Sequence, residues 1–280
     1  MKTLTLGFSP CPNDTFIFHG LANKLLDNAS TDFRIRMEDV ETLNRLALED
    51  ALDVCKVSWH AYAHIRERYV MLRAGGAMGK GCGPLVVARD RLTPISLRGA
   101  RIAAPGLHTT ALLLLKLFDP EIRGIVTLPF HGIMEAIAQG TVDAGLIIHE
   151  SRFTFQTLGL HKVVDLGEWW EGLTGLPIPL GGIAARRSLG PDMLSSVNDI
   201  IRASAEYALR APAETEKYVA LHAREMDATA RSAHIRLYVN EFSLDPGRVG
   251  ENAAKTLLDM GEKLGVIPPV HKEVFLPSSR

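Results

Sequence analysis

Along the first two thirds of the chain, short β-rich stretches take turns with segments of helical spacing. Thr3 to Ser9, Phe33 to Glu38, the apolar run Asp53 to Val57 and Tyr69 to Arg73 read as strands. Helices are expected from about Thr15 to Leu26, from Thr42 to Leu52 and across Ala61 to Arg68. Such alternation is the syntax of an α/β fold.

A glycine-rich turn then leads into a strand at Pro84 to Ala88, and a further turn and strand end at the break Pro105-Gly106. The pattern resumes with a helix from Thr109 to Phe118, a strand from Ile125 to Leu128, a helix from Gly132 to Gln139 and a strand from Val142 to Ile148. Glu168 to Pro179 reads as a loop, and Gly182 to Ala185 as a returning strand. The remainder is expected to be helical, with Pro191 and Pro212 at helix starts and an amphipathic run from about Pro246 to Leu264. Two crossings, near residues 84 to 90 and 181 to 187, predict a two-lobed α/β fold with a cleft between the lobes. Residues 1–87 and 186–280 would form the first, larger domain, discontinuous in sequence, and 88–185 a second domain inserted into it. Ligands of open α/β sheets bind outside the carboxyl ends of the strands, so the loops there are where chemistry is sought.

Composition narrows the partners. The 280 residues are 46% hydrophobic and 22% charged, ample for a core, and 31 Lys plus Arg against 32 Asp plus Glu leave a net charge of -1. Such a balance, without blocks of like charge, gives no footprint for nucleic acid or an anionic membrane. No apolar run reaches the roughly 20 residues that span a bilayer, and the N-terminal segment is too short and too broken by Pro10 and Pro12 for a signal-peptide core. Cys11, Cys55 and Cys82 are odd in number and form no CxxC pair, which argues against a disulfide framework or a zinc ribbon. A cytoplasmic protein is expected, with a homodimer left open.

Four segments put reactive side chains at strand ends. In Ser9-Pro10-Cys11-Pro12-Asn13-Asp14-Thr15-Phe16 a strand gives way to a helix, and Asn13 or Asp14 is placed either to cap that helix or to meet polar groups of a ligand. Lys56 interrupts a strand that should be buried and delivers, with Val57 and Ser58, a charge that needs a partner, either a ligand anion or a neighbouring carboxylate. Thr109 and Thr110 open an apolar helix after a glycine turn. One threonine serves as a cap; two, with the free N–H groups of the turn, point to a bound carboxylate. The apolar strand before His149 carries that imidazole to the cleft edge beside Glu150, where it is either a general base working near neutral pH or a histidine hydrogen-bonded at a strand end.

Other patterns fail. His149-Glu150 lacks the second His of HExxH because position 153 is Phe, there is no GxSxG, and Gly79-Lys80 lacks the Gly at 74 and the Ser or Thr at 81 of a phosphate loop. His60 and His64, four residues apart, have no third metal ligand nearby and read as a helix face.

The run Ser9 to Phe16, together with Lys56-Val57-Ser58-Trp59-His60-Ala61-Tyr62 and Ile148-His149-Glu150, resembles the 1,4-dihydroxy-6-naphthoate synthases of the futalosine route to menaquinone, over nearly the whole chain. The resemblance implies a periplasmic-binding-protein type II fold and a carbon–carbon lyase that converts cyclic dehypoxanthinyl futalosine to 1,4-dihydroxy-6-naphthoate and dihydroxyacetone, with no cofactor and no metal. It makes His149 the proton acceptor, and Lys56, Val57, Ser58, Thr109 and Thr110 substrate-binding positions, with Asp14 added by its motif. Chorismate dehydratase of the same pathway and a protein that only binds a small carboxylate are the alternatives.

Overall fold

The structure is a computed structural model that describes residues 2–26, 31–149, 151–223 and 227–278. The chain begins with β1 (Lys2–Phe8), α1 (Pro12–Ala22), β2 (Thr31–Met37), α2 (Val40–Leu48), β3 (Val54–Ser58), α3 (Trp59–Ile65), β4 (Tyr69–Met71) and β5 (Ala77–Gly79). It continues through β6 (Leu85–Ala88), β7 (Ile102–Ala104), α4 (Thr110–Phe118), β8 (Ile125–Thr127), α5 (Ile133–Ala138), β9 (Ala144–Ile147), α6 (Ser151–Thr154), β10 (His161–Asp165) and α7 (Leu166–Thr174). Then come β11 (Ile178–Arg186) and five helices, α8 (Pro191–Arg210), α9 (Pro212–His222), α10 (Ala228–Tyr238), α11 (Glu241–Leu244) and α12 (Gly247–Lys263).

Two sheets result. The first runs β2-β1-β3-β11-β4, with β5 also on β11; the second runs β10-β6-β9-β7-β8. Parallel pairs carry the crossover helices, and the antiparallel β11 returns the chain from the second sheet to the first. By sheet membership the chain changes lobe in the loops before β6 and before β11, so the expected boundaries at 87/88 and 185/186 fall at the far ends of those strands. Every residue of β3 and of β9 is buried. Central strands covered on both faces read as continuous apolar runs, which is why both were legible.

The expected loop at Glu168 to Pro179 is instead mostly helix. Asp165 caps α7 by accepting from the N–H groups of Gly167 and Glu168, and Gly175, at φ 70°, ends it in the left-handed region. Leu166 and Trp170, four residues apart, fill its buried face.

Where the chain first changes lobe, the backbones of Gly83 and Gly167 lie against each other. A Cβ on Gly83 would stand 2.3 Å from Gly167 Cα and 2.4 Å from its N. Backbone atoms cannot swing aside as a side chain can. Gly83→Ala is therefore expected to destabilise the protein by about 1–3 kcal/mol, seen as a lower urea midpoint; an unchanged midpoint would show slack at this seam.

Candidate active site

His149 follows β9 at the lip of the cleft. Its backbone is turned into the left-handed region at φ 55°, a conformation that costs energy in a residue other than glycine and tends to persist where surroundings enforce it. The half-buried ring stands between the lobes. Phe130 meets it edge-on with centroids 5.7 Å apart, and His234 lies nearly parallel to it at 5.9 Å and 11°. Glu150 lies outside the described residues.

The cavity beneath His149 holds about 90 Å³ and is bordered by Asp14, Lys56, Ser58, Thr110 and Gly181, with Val57, Ala77 and Leu180 supplying apolar wall. Small-molecule sites usually offer at least roughly 300 Å³. A bicyclic ligand therefore requires the lobes to stand further apart while it enters.

Asp14 and Lys56 meet on the cleft floor. Lys56 Nζ is 2.5 Å from Asp14 Oδ1, and the two side chains are only 7% and 2% exposed. Asp14 also accepts from Ser9 N–H and hydroxyl through Oδ2, at 3.2 and 2.7 Å, and from Asn13 Nδ2 through Oδ1 at 2.9 Å. Of the two partners open to Lys56, the fold supplies the carboxylate. Asp14 is no helix cap either: α1 begins at Pro12 with Cys11 at its N-cap, and Asp14 sits inside the first turn. One of the three Lys56 N–H donors is spent on Asp14.

Thr109 caps α4, accepting from Leu112 N–H at 3.3 Å and donating to Gly106 C=O at 3.1 Å. Thr110 works between the lobes: its hydroxyl accepts from Trp59 N–H at 2.9 Å and donates to Leu180 C=O at 2.5 Å. The second threonine thus has a structural task. Ser58 is held by Asn44, which donates to its hydroxyl and accepts from its N–H. The N–H groups of Leu107 and His108, in the turn expected to hold a carboxylate, both donate to Glu41 Oε1, at 2.8 and 3.3 Å. Among the described residues, the N–H groups of Thr110 and Ala111 make no hydrogen bond, and both residues border the cavity. The N-terminus of α4 can receive an anion there.

A family model described as menaquinone biosynthesis matches residues 4–263. The chain belongs to that family. It is 49% identical over 278 residues to a protein of Thermus thermophilus named 1,4-dihydroxy-6-naphthoate synthase, covering 99% of this chain and 100% of the relative. A Streptomyces coelicolor protein of the same name is 44% identical over 271 residues, 95% of each chain. Among solved structures, a protein of Archaeoglobus fulgidus superposes with a TM-score of 0.89 at 35% identity, covering 95% of this chain and 98% of that one. A Candida albicans protein described as having the generic periplasmic binding protein structural fold gives 0.74 at 11% identity, over 100% and 99% of the two chains. The latter likeness shows the fold: this member of the menaquinone biosynthesis family has the two-lobed periplasmic-binding-protein architecture, with its first lobe discontinuous in sequence.

In this family member three more histidines gather at the lobe junction. His60 and His64 of α3 and His108 of the second lobe have ring centroids 5.6 to 5.9 Å apart. Among the described residues no group is arranged to hold a metal. Burial, followed by the charges of His64, His108 and Lys116, pushes His60 down to about 3. An unfolded chain takes up a proton at this side chain near pH 6.5 and the folded one does not, so folding loses stability as pH falls from about 6.5 towards 3. The slope is about 1.4 kcal/mol per pH unit. His60→Gln is expected to flatten the acid limb of a stability-against-pH curve by one proton; an unaltered limb would place that proton elsewhere.

Sequence reasoning passed over His234, Glu41 and Asn44. Their roles rest on contacts with distant segments, and no local motif marks them.

Proposed function

We propose that this chain is a 1,4-dihydroxy-6-naphthoate synthase, a carbon–carbon lyase acting on cyclic dehypoxanthinyl futalosine. The observation that carries this reading is the full-length kinship to two proteins of that name. The cleft supplies the chemistry. His149 acts as general base, taking an acidic proton next to the substrate's ketone; carbon–carbon cleavage follows, dihydroxyacetone departs, and formation of the aromatic naphthol drives the reaction. The N–H groups of Thr110 and Ala111 receive the substrate carboxylate at the head of α4, and Ser58 and Val57 line the ring. Lys56, one donor committed to Asp14, directs its others toward oxygen charge as it develops, while Asp14 fixes the ammonium in place. Lobe closure excludes water from the intermediate.

We place the reaction in the cytoplasm. The three cysteines are free thiols, as suits a reducing compartment, and no helix among the described residues is long and apolar enough to cross a membrane.

Offering the purified protein cyclic dehypoxanthinyl futalosine and chorismate side by side tests the substrate. Consumption of the first alone is expected. Consumption of chorismate would make the chain a dehydratase, and tight binding without turnover would make it a binding protein.

A further inference from the structure

His234 is an imidazole with 0% exposure for which the reaction above has no task. It sits on α10, which packs against α1 and β5 of the first lobe. Its Nε2 is 3.0 Å from Asn13 Oδ1. The amide nitrogen of Asn13 is turned to Asp14, so its oxygen is the acceptor, and the network assigns the His234 proton to Nε2. A continuous chain results: Lys56 to Asp14, Asp14 to Asn13, Asn13 to His234. At its end, the His234 ring lies parallel to that of His149.

The two rings come from different lobes. His149 is delivered by the second sheet through β9, His234 by the first lobe through α10, so the pair spans the cleft. Tyr238, one turn further along α10, packs on the His234 ring at 4.6 Å and restricts it. Burial, then the charges of His149 and Lys56, hold His234 well below the usual histidine range, so it stays neutral near pH 7.

We propose that His234 is a positioning residue for the general base: anchored by Asn13 and stacked on His149, it fixes where the His149 ring stands when the lobes close, without exchanging a proton itself. The proposal rests on His149 being the base of the proposed reaction.

Because a positioning residue acts through another, its effect vanishes when that other is gone. His234→Phe keeps a flat ring but loses the donor to Asn13, and is expected to lower kcat roughly 10–100-fold, the scale of a small misplacement, with KM little changed. His234→Gln, whose amide reaches toward Asn13, is expected to retain more activity than Phe, and serves if Phe does not fold. Either change made in the His149→Ala protein is expected to cost nothing further. Wild-type turnover in both variants, or a loss that multiplies onto that of His149→Ala, overturns the proposal.

If the wild-type protein forms no product, the reading of function fails and this one is still decided by where the His149 ring stands in crystal structures of the wild-type protein and of His234→Phe. Without the donor to Asn13 the replacing ring is no longer anchored, so the His149 ring is expected to be displaced or to take more than one orientation in His234→Phe. A His149 ring that keeps its wild-type position in that variant contradicts the positioning role.

Discussion

Alanine at position 149 is expected to lower kcat by about 10²–10⁴-fold, the usual contribution of a positioned general base, while the protein still folds and still binds substrate. Two features of the site set this apart from a packing defect. The imidazole is half-buried between Phe130 and His234, so its removal opens the lip of the cleft rather than the core. Its backbone also lies at φ 55°, where glycine is at ease and alanine is not. His149→Gly is accordingly expected to be more stable than His149→Ala by about 1 kcal/mol and equally inactive. Turnover assays and thermal unfolding of the two variants check both halves; near-normal turnover in either would remove His149 from the chemistry.

Breaking the ion pair on the cleft floor is expected to have the largest effect on stability. Asp14→Asn leaves the Lys56 ammonium buried in the centre of β3 with its countercharge gone, a change that costs about 3–5 kcal/mol when one partner of a buried pair is removed. At about 2–4 °C per kcal/mol for a chain of this order of size, the unfolding temperature should drop by roughly 10 °C. Replacing both partners, Asp14→Asn with Lys56→Met, is expected to restore most of that stability but not activity, because a buried pair exchanged for neutral groups is often close to neutral. An unfolding temperature unchanged in Asp14→Asn would show that the ammonium is hydrated or otherwise compensated.

The residues that were legible from sequence are those whose placement is decided within one element. His149 follows a fully apolar strand, and an apolar strand can only run through the core and end at its edge, so its address was readable. Lys56 could be recognised as a buried charge for the same reason, but its partner could not, since Asp14 stands 42 positions away and is chosen by the pairing of β1 with β3. The turn before α4 shows the limit more sharply. Its glycine, its two threonines and its helix start all read as an anion site, yet Glu41, 66 positions earlier, reaches across and occupies the N–H groups of Leu107 and His108, leaving those of Thr110 and Ala111. His234 meets Asn13 across 221 positions and carries no motif; only the assembled lobes bring it to His149. The helix α7 was misread because Trp169-Trp170 and its glycines look like loop composition, whereas Asp165 caps it and Trp170 anchors it in the core.

The most direct measurement is to incubate the purified protein with cyclic dehypoxanthinyl futalosine and quantify both products by chromatography with mass detection. The account predicts 1,4-dihydroxy-6-naphthoate and dihydroxyacetone appearing in equal amounts as the substrate is consumed, and neither from His149→Ala on the same timescale. A substrate that binds and is recovered intact from the wild-type protein would contradict it.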